Sequence, residues 1–189
     1  MTEFAKTGSH TYVFGFEESY GYLAGTHARD KDGVVATMLI AEMAAYYKTK
    51  NMSLYEALQE VYKKYGYYFE KTVSIVMPGK DGMEKMANLL SSLRTNPLTE
   101  VCGMNILTTT DYKAQTITTA DGKITEFDNL PKSDVLKYNL SDGKTYFIVR
   151  PSGTEPKIKI YLASSAPSFA DAEKTVMNVL DDVKKQLEI

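Results

Sequence analysis

Seven consecutive residues, Arg150-Pro151-Ser152-Gly153-Thr154-Glu155-Pro156, gather an arginine fork, two hydroxyls and a glycine at one point of the chain. Arginine presents a planar set of donors that matches two oxygens of a phosphate or a carboxylate. Ser152 and Thr154 add hydroxyl donors. Gly153 allows a turn in which backbone N–H groups converge as a small anion nest. Lys157 and Lys159 follow at once, while Glu155 has the wrong sign for such a site. Chemistry alone leaves two readings open: an oxyanion site, or a polar hairpin tip with stray cations.

A second cluster lies in "FGFEESYGYL", residues 14–23. Two carboxylates and a serine end a strand between glycines. Strand alternation sets Glu17 and Ser19 on one side and Glu18 on the other. A carboxylate that accepts from vicinal hydroxyls can hold a sugar; a solvated strand end is the plain alternative. Lys31, in "ARDKDG", would act as a general acid or base if burial or cationic neighbours lowered its pKa. Otherwise it is a surface lysine at a helix start. No metal site is read. "DKDG" opens like a calcium loop but lacks the later ligands, and His10 and His27 have no partner at metal-ligand spacing. No glycine-rich nucleotide loop is present. Cys102 is the only cysteine, so no intrachain disulfide forms, and a small buried hydrophobe is expected there.

The elements that must position these residues follow from periodicity. "TYVFGF", 11–16, reads as a strand, followed by a glycine-punctuated loop. Val35, Leu39, Met43 and Tyr46 recur at helical spacing, with Asp30 and Asp32 at the helix start. Ser53 and Glu56 form a capping box for a second helix with an apolar stripe of Leu54, Leu58, Val61, Tyr62 and Tyr65, and Gly66 stands just past its end. Residues 69–76 read as a strand and about 81–95 as a helix stopped by Asn96-Pro97. The period then changes to two. Asp121-Gly122 and Asp142-Gly143 mark hairpin turns between short β runs. "KIKIYLA" alternates, Ile158, Ile160 and Leu162 facing one way, before a last helix from near Ser168. The fold class is therefore α+β: residues 67–189 form an antiparallel sheet backed by helices. Residues 1–66, with one strand and two helices, read as a partial α/β domain, since one strand cannot make a sheet.

Composition bounds the partners. With 22 basic and 24 acidic residues the net charge is −2, which argues against nucleic acid. No apolar run approaches the ~18 residues of a membrane span, and the N-terminus lacks a signal-peptide pattern. A soluble, cytoplasmic protein is expected.

"FGFEESYGYL", then "ARDKDG", then "RPSGTEPKIKIYL" in that order resemble the α-D-phosphohexomutase superfamily, on the side of the bacterial phosphoglucomutases, over essentially the whole chain. The resemblance implies an enzyme that interconverts hexose 1-phosphate and hexose 6-phosphate. A phosphoserine, Mg2+ and a glucose 1,6-bisphosphate intermediate serve that reaction. It implies sugar binding by Glu17 and Ser19, phosphate binding by Arg150, Ser152, Gly153, Thr154 and Lys159, and a proton-transfer role for Lys31. It further implies that 1–66 is the end of the family's sugar-binding third domain and 67–189 its phosphate-binding fourth. The sequence departs from the family in lacking the Thr-x-Ser-His-Asn-Pro nucleophile loop and the Asp-x-Asp-x-Asp-Arg metal loop. "TGSH" at 7–10 runs on into Thr11-Tyr12 rather than Asn-Pro. The chain alone is thus expected to be inactive and to depend on absent N-terminal domains for catalysis. The rival reading is a stand-alone phosphosugar-binding or interaction module without catalysis. Self-association through an exposed sheet edge and apolar face of residues 1–66 is also expected.

Overall fold

The computed structural model describes residues 2–17, 20–79, 81–128, 130–153 and 155–189. The chain divides into two compact units, Met1–Lys64 and Tyr65–Ile189.

The first unit carries α1 (Thr2–Thr7), β1 (Phe14–Glu17), β2 (Gly21–Ala24), α2 (Gly33–Lys48) and most of α3 (Leu54–Tyr65). The expectation of a single strand is corrected: β1 and β2 pair antiparallel, with Glu17 opposite Gly21. β2 escapes sequence reading because it is four residues long, begins with glycine, and follows a turn without a turn dipeptide. Asp32 caps α2, its Oδ1 accepting from the N–H groups of Val34 (2.9 Å) and Val35 (3.0 Å). The capping box of α3 forms in both directions. The Ser53 N–H donates to Glu56 Oε2 at 2.7 Å, and the Glu56 N–H donates to Ser53 Oγ at 3.2 Å. The expected stripe of α3 is present but uncovered: Leu58, Val61 and Tyr65 are exposed, and Ala57 is the buried residue.

The second unit is built on an antiparallel eight-stranded sheet. Its strands are β3 (Tyr67–Val76), β4 (Glu100–Val101), β5 (Met104–Asp111), β6 (Thr116–Thr119), β7 (Ile124–Glu126), β8 (Leu136–Leu140), β9 (Tyr146–Pro151) and β10 (Lys157–Ala166). The order is β3-β10-β9-β8-β5-β6-β7, with β4 beside β5. Alternation in β10 does what the sequence implies. Ile158, Ile160 and Leu162 are buried beside Val149 and Phe147 of β9 and Leu136 and Tyr138 of β8. Each such side chain contributes about 1.5–3 kcal/mol when fully buried. α4 (Gly82–Thr95) and α5 (Phe169–Leu187) back this face. α4 packs on β10, and α5 packs on β10 and β3 through Ala172, Val176, Val179 and Val183. The two helices do not cover the whole sheet, which runs on through β5, β6 and β7.

The turns at Gly122 (φ +82°) and Gly143 (φ +69°) adopt the left-handed conformation that Asp-Gly signals. Cys102 departs from expectation. It is exposed, stands at φ +51° in the β4–β5 turn, and its thiol donates to the Asn178 carbonyl at 3.1 Å. Partial burial and the neighbouring Asp182 carboxylate push its pKa up, which keeps the thiol protonated. Among the described residues no helix is long and apolar enough to cross a membrane.

Candidate functional site

The Arg150–Pro156 segment forms the tip of the β9–β10 hairpin. Strand register sets Lys159 directly opposite Arg150, with Ser74 of β3 on the other side of Lys159. Because Val149, Ile158 and Ile160 point into the core, Arg150 and Lys159 share the opposite face of the sheet. Two like charges directly across from each other are unfavourable by a few tenths of a kcal/mol or more. Among the described residues neither has an ion-pair partner; Lys159 lies only over the Tyr161 ring, 6.0 Å from its centroid.

The wrong-sign residue is accounted for locally. The Lys157 ammonium forms an ion pair with Glu155. Its hydrogen bond and charge, with a further contribution from Lys159, hold the Glu155 carboxyl below its ordinary pKa. Three cations against one carboxylate leave the tip positive on a net-negative chain. Its backbone amides are largely engaged. The Ser152 N–H donates to the Lys157 carbonyl (2.9 Å), the Lys157 N–H to the Glu155 carbonyl (2.8 Å), and the Glu155 N–H to Ser152 Oγ (3.3 Å). Arg150 and Lys159 add charged side-chain donors on the same face. Gly153 is not in the left-handed region, and a Cβ there would meet nothing within 4 Å. Neither backbone conformation nor packing demands glycine at this position, and its lack of a side chain leaves the backbone open to close approach. Thr154 lies outside the described residues.

The tip is seated by α4 and the end of β3. The Met77 N–H donates to the Pro156 carbonyl at 2.7 Å. A Cβ on Gly82 would overlap the Met77 carbonyl oxygen and stand 2.9 Å from Pro156 Cβ. Sequence reading missed this role of Gly82, since glycine at a helix start carries no signal of what it touches.

In the first unit the structure brings together two of the expected site residues. Lys31 Nζ lies 2.6 Å from Glu17 Oε1 across the β1–β2 hairpin. Gly21 makes that approach feasible: a Cβ there would lie 2.6 Å from both Glu17 Oε1 and Lys31 Cδ. An isolated glycine in a short strand, between two tyrosines, is the signal that could have revealed it. Tyr20, just before it, is 88% exposed and held at φ +62°. That conformation is uncommon for a bulky residue and costs on the order of 1 kcal/mol. Tyr20 stands immediately before Gly21, the first residue of β2. Ser19, the other expected sugar ligand, lies outside the described residues. Beyond the loop, His27 Nε2 sits 2.8 Å from Asp32 Oδ2. This hydrogen bond, with the N–H groups of Val35 and Val34, holds Asp32 below its ordinary pKa. The Glu17–Lys31 pair belongs to one unit and the hairpin tip to the other. Among the described residues no three His, Cys, Asp or Glu side chains converge as metal ligands.

Two domain models of one family match this chain in succession. Residues 2–65 match the phosphoglucomutase/phosphomannomutase alpha/beta/alpha domain III, and residues 104–181 match the C-terminal domain of the same family. The chain belongs to the phosphoglucomutase/phosphomannomutase family. The phosphoglucomutase of Staphylococcus haemolyticus is 30% identical over 91% of this chain and 31% of its own length. That of Staphylococcus aureus is 34% identical over 87% of this chain and 29% of its own. The chain thus spans about a third of the length of these relatives. Among solved structures, the open form of the exocytosis-sensitive phosphoprotein pp63/parafusin, a phosphoglucomutase from Paramecium, aligns with 99% of this chain and 31% of its own, at a TM-score of 0.57 and 20% identity. At that identity the likeness bears on the fold, which is that of the family.

Proposed function

We propose that this chain supplies the sugar- and phosphate-recognition half of a cytoplasmic phosphohexomutase that interconverts hexose 1-phosphate and hexose 6-phosphate. Residues 1–66 serve as the C-terminal part of the sugar-binding domain and 67–189 as the phosphate-binding domain. The observation that carries the reading is the Arg150–Lys159 pair. Two cations are held face to face at a hairpin tip, at an electrostatic cost that a bound dianion would reverse. Arg150 and Lys159, helped by Ser152, Gly153 and Thr154, hold the phosphate that is not reacting. Glu17 and Ser19 accept and donate hydrogen bonds to sugar hydroxyls, and Lys31, already on Glu17, moves a proton at those oxygens. Mg2+ supplies charge neutralisation at the transferring phosphoryl group when bound. Its ligands and the phosphoserine are contributed by domains that carry loops this sequence does not contain. Positioning and charge stabilisation are what phosphoryl transfer requires of a protein, so a chain can hold half of the machinery and none of the chemistry.

Two measurements test this. In an amide-shift titration with glucose 1,6-bisphosphate, perturbations should centre on 150–159, with weaker ones around 17–21. Arg150→Ala should abolish the first set. Binding by the lone tip is expected to be millimolar, on the order of −4 kcal/mol. In a coupled assay with glucose 1-phosphate and Mg2+ the chain by itself should show no turnover. Turnover at any rate above the uncatalysed one would refute the division of labour, and a titration without effect at 150–159 would refute the phosphate assignment.

A further inference from the structure

The sheet of the second unit outruns its two helices, and a cleft opens where α4 ends. It has a volume of about 690 Å3 and lies between Leu93, Arg94 and the 97–99 segment on one side and the β5–β6 hairpin on the other. Among the described residues, none that lines it belongs to the 150–159 tip. Its apolar floor is made of the buried Leu93, Ile106 and Leu136. Its polar wall is a ladder. Thr109 pairs in register with Thr118, and Asp111 with Thr116, so all four share one sheet face. Thr109, Thr116 and Thr118 are half-buried. Among the described residues their hydroxyls have no hydrogen-bond partner. Each such hydroxyl offers one donor and acceptor lone pairs to a ligand that enters the cleft.

The charges at the end of the cleft restrict what that is. The Arg94 guanidinium is spent on the protein itself: Nε donates to Asp111 Oδ2 at 2.8 Å, and Nη2 donates to Asp134 Oδ1 at 2.6 Å and to Asp111 Oδ1 at 3.3 Å. Two carboxylates against one guanidinium leave an excess of one negative charge, so phosphate esters and carboxylates are disfavoured there. No aromatic side chain lines the cleft among the described residues, which removes the stacking platform a nucleobase needs. Hydroxyl donors and acceptors facing an aliphatic floor suit a molecule with hydroxyls on one side and C–H groups on the other. The volume falls in the range of small-molecule sites.

We propose that this cleft binds a neutral, unphosphorylated saccharide, held by Thr109, Thr116 and Thr118 over the Leu93–Ile106–Leu136 floor. Its lining residues are not those proposed to hold the phosphosugar. The probe is maltose, titrated to ~50 mM into the isotope-labelled chain, a range suited to a millimolar site. Saturable amide shifts should appear at 105–120 and 93–99. The Thr116→Val/Thr118→Val variant keeps the branched shape a strand prefers and removes two hydroxyls. Its spectrum elsewhere should be unchanged and its maltose affinity roughly tenfold or more lower. No saturable shift in the unmodified chain, or equal affinity in the variant, would overturn the proposal. Glucose 1,6-bisphosphate, added separately, acts at 150–159, so silence from either probe bears only on its own site.

Discussion

Gly21 controls a contact made by other residues. With no side chain it lets Glu17 Oε1 and the Lys31 methylenes pass within 2.7 Å of where a Cβ would sit. The blocked atoms are ends of flexible side chains, not backbone, so a methyl group there should displace the pair without breaking the hairpin. Gly21→Ala is expected to cost no more than about 1 kcal/mol of stability while separating Lys31 from Glu17. The carboxyl and ammonium resonances of the two residues, followed by NMR, would report this. Retention of the pair in the alanine variant would show that the hairpin adjusts instead. At this scale Arg150, Lys159, Glu17 and Lys31 are legible as candidates by residue type and neighbours, while the role of each rests on the family resemblance. The Glu17–Lys31 contact is not legible, because it depends on a strand, β2, too short and too glycine-rich to carry a periodic signal. Beside Gly153, the Ser152 amide is engaged by the Lys157 carbonyl, a pairing that residue types alone do not encode.

Among the elements, α4 and β5 are joined by the Arg94–Asp111–Asp134 cluster, with Arg94 and Asp111 side chains 22% and 14% exposed. Burial pushes the Asp111 carboxyl up, but the Arg94 hydrogen bond and the N–H groups of Ala114 and Lys113 outweigh it and hold the pKa below its ordinary value. A carboxyl depressed in the folded state stabilises that state fully above its unfolded pKa. The contribution fades as pH falls through the ordinary carboxylate range, below about 4, toward the folded value. Arg94→Met should therefore lower stability at neutral pH by about 2–3 kcal/mol and flatten the acid limb of the stability curve. Urea denaturation at neutral and acid pH would show both effects; an unchanged acid limb would mean the guanidinium does not hold Asp111 down. The sheet itself was legible wherever alternation was strong, as in β10, and wherever Asp-Gly marked a turn. Strand order was not, since β3 pairs with β10 across the whole length of the unit and no local signal encodes that.

For the molecule as a whole, the contrast between the two units decides behaviour. The second owns the buried cluster that runs from Met77 to Leu187, whereas the first buries Leu23 and Ala57. Its α2 has no buried residue despite an apolar sequence, and Val34 is 81% exposed. Hydrophobic burial is the dominant favourable contribution in folding. Urea should thus melt the first unit at lower concentration than the second, resolved by NMR signals from 14–48 and 158–183; a single shared midpoint would contradict this. We also propose that the exposed faces of α2 and α3 drive self-association. Sedimentation should show concentration-dependent growth in mass, and a strictly monomeric profile at high concentration would dismiss the idea. The reading of 1–66 as a partial domain does not say how little of α3 is covered, because an amphipathic pattern states which face seeks a partner and not whether one is present.

The junction of Met77, Gly82 and Pro156 bears on any attempt to transplant the Arg150–Pro156 heptapeptide. Cut away from the terminus of β3 and the first turn of α4, those seven residues lose the amide that anchors their last proline and the bare backbone against which it rests. A graft into a foreign scaffold would carry the chemical groups without their aim, so the smallest portable unit is the three-part joint rather than the loop.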